Sequence, residues 1–511
     1  VSLLAVLALS GCGSRQSHAA LEAALRGAGT STITTTGDST TTTGGGTTTT
    51  GGGTTSTGGG TTAAPGGTTT TTGGNSSSTG AGTTATTGGA TSPVSGGSAP
   101  AGGGRTKTGG GTTSSGGTTG GHVASGNSLV PGVQSGCAKQ LAPVNIGSVG
   151  EQSGLAGAAV AAGAQTVSAW AAYVNSLGGL RCHPLKYITA DDGGDPSRNS
   201  SLTQQLVQQD GVVAFVYNDA PLAANGSLNY LVQHKIPIIG NEGAEQFMYQ
   251  HPMFFPQAPN GNSLVYTSFG GMAPMLTASQ RQHLGMIYCL EAAECSIYGK
   301  LGAVDAKKAG LKLIYSASAS LTAPDYTSQC LRAKQAGVTA LFVVLDPNSI
   351  HRAAANCRNA GYQGQFVVGS TIVVPDEASD PNLNGMVFGA PQKPWVTLSN
   401  PQVRLMNQVL AKYAPGVSPV GSSGLGWTAA QLFAYSSTFW PSTNTITSAD
   451  IINAMDRVKN YDVGGMTGPM TFTKGRNAPE VTCWFQMALR GGKFISPNNG
   501  ARSCLRGNPP S

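Results

Sequence analysis

A break in composition near residue 136 decides where this chain can fold. Residues 27–136 are almost entirely Gly, Thr, Ser and Ala, whereas from Pro143 onward the sequence reads as ordinary globular protein. Runs of Thr and Gly bury too little apolar surface to offset the entropy of ordering them, so residues 12–136 are expected to form a disordered tether. A flexible coil of that length spans about 60 Å r.m.s.. Of the 511 residues, 137–511 remain to build the folded part, enough for two lobes.

The formal net charge is +7, and the part before Cys137 supplies +2 of it through Arg15, Arg26, Arg105 and Lys107 against Glu22 and Asp38. The rest is spread without a basic stripe or an aromatic platform, which argues against nucleic acid as a partner. Residues 2–9 are nearly all apolar and lead into Ser10, Gly11 and Cys12. That is the pattern of a signal peptide, here residues 1–11. Leu9-Ser10-Gly11-Cys12 has the form of a bacterial lipobox, in which the Cys thiol is acylated before cleavage. Cys12 is then the lipidated start of the mature chain, held at the outer face of the cytoplasmic membrane. The apolar run is far shorter than the ~20 residues a spanning helix needs.

There are nine Cys, and setting Cys12 aside leaves an even eight in a chain with an export signal. Cys289 and Cys295 flank one short loop, and Cys483 and Cys504 flank the last strand region. Cys330 and Cys357 lie on two expected helices either side of one strand. Cys137 and Cys182, each just before a strand, complete four expected disulfides. The chain has no CxxC, and its seven His are scattered without ligand spacing, so neither a metal nor a cofactor is expected.

From Val144 short β-rich runs alternate with longer amphipathic stretches. Strands are expected at 144–149, 185–190, 212–216 and 236–239, with helices after the turn at 150–154, at 196–209 behind Asp195-Pro196, and around 222–233. A second series has strands at 284–288, 311–316, 340–345 and 366–368, with helices near 297–309, 326–336 and 349–360. This βαβ rhythm predicts an α/β fold of two lobes, each a doubly wound, mostly parallel sheet. HExxH, GxSxG, P-loop and GxGxxG motifs are all missing, which argues against an enzyme.

Several pieces, in order and spacing, carry a family resemblance. They run from Val144-Asn145-Ile146-Gly147 and Asp191-Asp192 with Asp195-Pro196 through Phe254-Phe255-Pro256-Gln257, Ile297-Tyr298-Gly299 and Ala360-Gly361-Tyr362. Gly426-Trp427-Thr428-Ala429-Ala430, Thr467-Gly468-Pro469-Met470-Thr471-Phe472 and Gly491-Gly492-Lys493-Phe494 follow. Over residues 143–495 the chain resembles the leucine/isoleucine/valine-binding protein family, the type I periplasmic-binding-protein fold of ABC importers.

The resemblance implies a solute captured between two lobes and delivered to an ABC permease; a surface sensor of the same fold is the alternative. It also implies three crossings between lobes, near 255–259, 389–394 and 468–470. Lobe one is then 143–256 plus 394–467, and lobe two 259–390 plus 470–505. Loops at the strand ends would supply the ligand contacts. In lobe one these are Gln152, Ser153, Asn218, Asp219, Asn241 and Glu242. In lobe two they are Tyr298, Asp346 and Ser370, with Trp427 closing the side. The hydroxyls that amino-acid-binding members use for the ligand carboxylate fall here on Ala220, Pro221 and Ala244, and their acid for the ammonium falls on Ser370. The expected ligand is therefore a small polar or carboxylate-bearing solute held by Asn218, Asn241, Tyr298 and helix N-termini, rather than a branched-chain amino acid.

Overall fold

Two parallel sheets, wound alike, organise the folded part. The computed structural model describes residues 129–134, 136–241, 243 and 245–505. The first sheet takes β1 (Val144–Gly150), β2 (Leu185–Asp191), β3 (Ala214–Val216), β4 (Ile238–Ile239) and β5 (Phe254–Phe255) in the order β2-β1-β3-β4-β5, all parallel. Between them run α1 (Gly157–Ser176), α2 (Pro196–Gln208) and α3 (Asn225–His234). β1 is buried along nearly its whole length, as a parallel strand covered on both faces must be. At α2, Asp195 caps the backbone N–H groups of Ser197 and Arg198, and Pro196 fills the first position, where a missing N–H costs nothing.

The second sheet repeats that order. β6 (Leu284–Tyr288), β7 (Leu313–Ser318), β8 (Ala340–Val344), β9 (Gln365–Gly369) and β10 (Val387–Ala390) are arranged β7-β6-β8-β9-β10, again parallel. β11 (Cys483–Arg490) and β12 (Lys493–Ile495) extend it antiparallel, and β13 (Ser503–Cys504) pairs with β11. Its helices include α4 (Asn262–Met272), α5 (Ala278–Gln282), α6 (Ala293–Lys308), α7 (Thr327–Gln335) and α8 (Pro347–Asn359). Three helices then return to the first lobe: α9 (Pro401–Tyr413), α10 (Gly421–Ser437) and α11 (Ser448–Met455), with α10 lying on α1, β3 and β4.

The chain thus links the two sheets three times, at 256–261, 391–400 and 473–482. The third link starts later than the sequence suggests. Tyr461 and Met470 form a β-bridge, and the Phe472 N–H donates to the Val458 carbonyl, so the chain stays with the first lobe through Phe472.

All four expected disulfides are present: Cys137–Cys182, Cys289–Cys295, Cys330–Cys357 and Cys483–Cys504. The chain joins the head on the first lobe. Gln402 Nε2 donates to the Leu129 carbonyl at 2.6 Å, Val130 is buried, Val133 bridges to Leu180, and Cys137–Cys182 staples the segment down. Among the described residues no helix is long and apolar enough to cross a membrane. Cys12 lies outside the described residues.

Candidate functional site

Each sheet changes its winding direction once, between β1 and β3 in the first lobe and between β6 and β8 in the second. The carboxyl ends of the strands open a crevice at such a point. Here the two crevices face each other across one cavity. Its first wall is Ala156, Ala159 and Val160 from the start of α1, with Pro221 and Leu222 from the segment after β3. The second wall is Cys289, Ala292 and Glu294 after β6, Leu321 after β7, Val344, Leu345 and Asp346 at the end of β8, and Ile372 after β9. The free space is about 40 Å³, room for a few waters. A solute of several heavy atoms needs more room than this spacing of the lobes leaves.

The lobes touch directly beside the cavity. Gly421 opens α10 in the first lobe, and a Cβ placed on it would lie 1.8 Å from the Ser370 carbonyl oxygen of the second. Gln392, on the second link, donates from Nε2 to the Gly421 carbonyl at 2.7 Å.

Among the described residues the wall is apolar apart from two carboxylates. Asp346 caps α8, its Oδ2 accepting from the Ser349 N–H at 3.2 Å, and Pro347 takes the first helical position. The other oxygen, Oδ1, is buried and has no hydrogen-bond partner among the described residues. Behind the opposite wall lies a third acid. Glu151 is fully buried, and its Oε1 accepts from the Ala156 N–H at 2.8 Å, occupying the N-terminus of α1 from within the protein. Burial pushes the Glu151 carboxyl up, against the pull of that hydrogen bond.

Sequence reasoning marked polar residues at the strand ends, and most of them hold the framework. Asn218 is buried, with Oδ1 accepting from the Val149 N–H at 2.8 Å, which ties β3 to β1. Asp219 Oδ2 accepts a hydrogen bond from the Tyr217 hydroxyl. Asn241 is bound through its side chain to Glu245 and through its backbone to Gln257. Gln152 and Ser153 donate their N–H groups to Asp191 Oδ1, and the Ser153 hydroxyl donates to Oδ2 at 2.6 Å. Burial raises the Asp191 carboxyl, but these bonds outweigh it and hold the group below its ordinary value.

Three expected contacts lie away from the cavity wall. Tyr298 sits in the apolar core of the second lobe, its ring 5.5 Å from that of Phe342 and its hydroxyl paired with Ser268 at 2.9 Å. Trp427 is fully buried in the first lobe and donates its indole N–H to Gln402 Oε1 at 3.1 Å. Ser370 is buried beneath Gly421. Glu242 lies outside the described residues. Of the nine expected contacts that fall in the described residues, Asp346 is the one in the wall. Apart from Glu294, the wall residues that sequence reasoning passed over are small or aliphatic, such as Ala156, Val160, Leu222 and Ile372, and the one signal for Cys289 was its pairing with Cys295.

Two doubly wound lobes with facing crevices define a solute-binding architecture. Residues 143–493 match the family described as periplasmic binding protein, and the chain belongs to that family. Its type I fold is shared with solved structures. A possible leucine/isoleucine/valine-binding protein from Rhodopirellula baltica is 16% identical, with a TM-score of 0.59 over 70% of this chain and 96% of the other. An ABC transporter solute-binding protein from R. palustris, in complex with benzoate, is 14% identical, with a TM-score of 0.58 over 72% and 99%. A branched-chain amino acid transporter substrate-binding protein from Streptococcus pneumoniae, in complex with isoleucine, is 16% identical, with a TM-score of 0.57 over 71% and 99%. No curated protein sequence matches the chain.

Proposed function

We propose that this chain is an exported lipoprotein that binds a small solute between two lobes and passes it to an ABC permease, without transforming it. The observation that carries the reading is the pair of like-wound sheets whose switch points meet in one cavity. Three links join the lobes, which suits closure by rotation about a hinge. Similar structures include ABC transporter binding proteins, which supports delivery to a permease.

Residues 1–11 serve as the signal peptide and residues 12–128 as the anchored tether; the binding head runs from Leu129, held to the first lobe, to residue 511. The first lobe is 143–255 with 401–472, and the second 262–390 with 483–505. Acylation at Cys12 places the head on the outer face of the cytoplasmic membrane, and firm retention needs two or three acyl chains, since one binds only marginally. A thermal-shift panel of amino acids, amides, amines, aromatic acids and fatty acids tests the binding role. A solute at 100 times its Kd stabilises the head by about 2.7 kcal/mol. Small-angle scattering at saturation then shows a smaller radius of gyration. A panel without a single hit, or an unchanged radius at saturation, refutes this reading.

A further inference from the structure

We infer that the solute class of this cleft is an apolar organic amine lacking a carboxylate, its hydrocarbon body between the lobes and its ammonium at Asp346. This rests on the solute-binding reading above. Asp346 is 8% exposed and lines the cavity. Its Oδ2 is committed to the cap of α8, while its buried Oδ1 has no partner among the described residues. A buried carboxylate oxygen left unmatched is costly, and an arriving N–H donor with positive charge removes that cost. Glu294 places a second carboxyl in the same wall.

No Lys, Arg or His among the described residues lines the cavity. On α8, Arg352 gives its guanidinium to the Leu321 carbonyl at 2.8 Å and the Ser349 hydroxyl at 2.7 Å, and it is not in the wall.

The opposite wall decides against a carboxylate on the solute. Among the described residues it offers Ala156, Ala159, Val160, Pro221 and Leu222, without a hydroxyl, an amide side chain or a charge. Pro221 has no N–H. The Ala156 N–H already donates to Glu151, and the N–H groups of Ala159 and Val160 donate to the Ala156 carbonyl. A carboxylate placed there would lose its hydration, find at most the Leu222 N–H as a donor, and face acids on both sides. An alkyl or aryl group placed there gains burial at no such cost. The charge pattern therefore selects an amine over an α-amino acid, a fatty acid or an aromatic acid.

The test uses the full chain and calorimetric titration with isoamylamine and phenethylamine, set against leucine, isovalerate and benzoate. The amines are expected to bind, and the three carboxylate-bearing probes are not. Asp346→Asn keeps a capping side chain on α8, so its melting temperature without solute should stay close to that of the parent, while amine affinity falls roughly 10- to 100-fold. Glu294→Gln should weaken amine binding by a smaller factor. Binding of leucine or benzoate with no binding of either amine overturns the inference and leaves the solute-binding reading intact. Equal amine affinity in Asp346→Asn also overturns it. Absence of binding by these probes and by every member of the wider panel overturns both.

Discussion

Gly421 gives the sharpest test of closure. It stands where the start of α10 meets the segment after β9, and its backbone is not left-handed, so alanine carries no conformational penalty of its own. The added carbon would lie 1.8 Å from the Ser370 carbonyl oxygen, 2.8 Å from its carbonyl carbon and 3.1 Å from Thr371 Cα. All three are backbone atoms, so no side-chain rotation relieves the overlap. Ordinary contact begins at 3.4 Å, which leaves a deficit of 1.6 Å against the closest atom that the lobes must supply by parting. Overpacking of this kind costs about 1–3 kcal/mol, charged here against the closed form. That shifts the open-to-closed ratio, and with it the apparent solute affinity, by roughly 5- to 150-fold. Gly416 is the matched control, since a Cβ there meets nothing within 4 Å. Fluorescence energy transfer between one dye on each lobe reads closure, and calorimetry reads affinity. Gly421→Ala should close less completely and bind more weakly than Gly416→Ala, with both folded to the same extent. Closure and affinity equal to those of the control would refute the assignment of this contact to the closing interface.

The double variant Cys330→Ala/Cys357→Ala, which opens a loop of sequence separation 27, should lose about 3.5 kcal/mol in urea unfolding with little change in solute affinity; a loss below about 1 kcal/mol would contradict this. Cys289→Ala/Cys295→Ala, with a separation of 6, should cost only about 2 kcal/mol, yet weaken binding, because Cys289 lines the cavity. Burial raises the Glu377 carboxyl to about 8, with Asp376 and Asp380 adding to the shift. The folded chain therefore keeps a proton that the unfolded chain releases near 4.5. This contribution is complete below pH 4.5 and is lost as pH rises to about 8, with a slope approaching about 1.4 kcal/mol per pH unit. Glu377→Gln should remove that slope, and parallel stability curves for variant and parent would speak against it. Metabolic labelling with a fatty-acid analogue should mark the chain and fail to mark Cys12→Ala; a label retained in that variant ends the lipoprotein reading.

The sheets were legible because a parallel strand buried on both faces is a continuous apolar run. Leu284–Tyr288 appears where expected, and Leu185–Asp191 runs one residue further. Helix starts were legible where an Asp-Pro pair supplies both cap and first residue, as at Asp195-Pro196. Around Leu222 the apolar pattern starts before the helix does, since Pro221 and Leu222 belong to a turn that feeds the cavity wall and α3 begins at Asn225. The cavity was not legible for a physical reason. Polar residues at strand ends have two uses, solute contact or support of the backbone, and sequence does not separate them. Asn218 and Asn241 turned out to support the strand ends. Ala, Val and Leu in the wall look identical to core residues until the fold leaves them facing a gap. Tyr298 and Trp427 carry the family's motifs, but the faces of α6 and α10 on which they fall point into each lobe's own core.

The way the chain joins the head has a mechanical consequence. Upstream residues meet the head at Leu129, where Gln402 grips the backbone, and the Cys137–Cys182 bond locks the next stretch to the first lobe. A tug arriving through those residues is borne by the first lobe alone and is not transmitted across the three links. The second lobe, carrying Asp346 and Glu294, has no direct tie to the incoming chain, so on the proposed reading drag on an anchor would leave the grip on the solute unchanged.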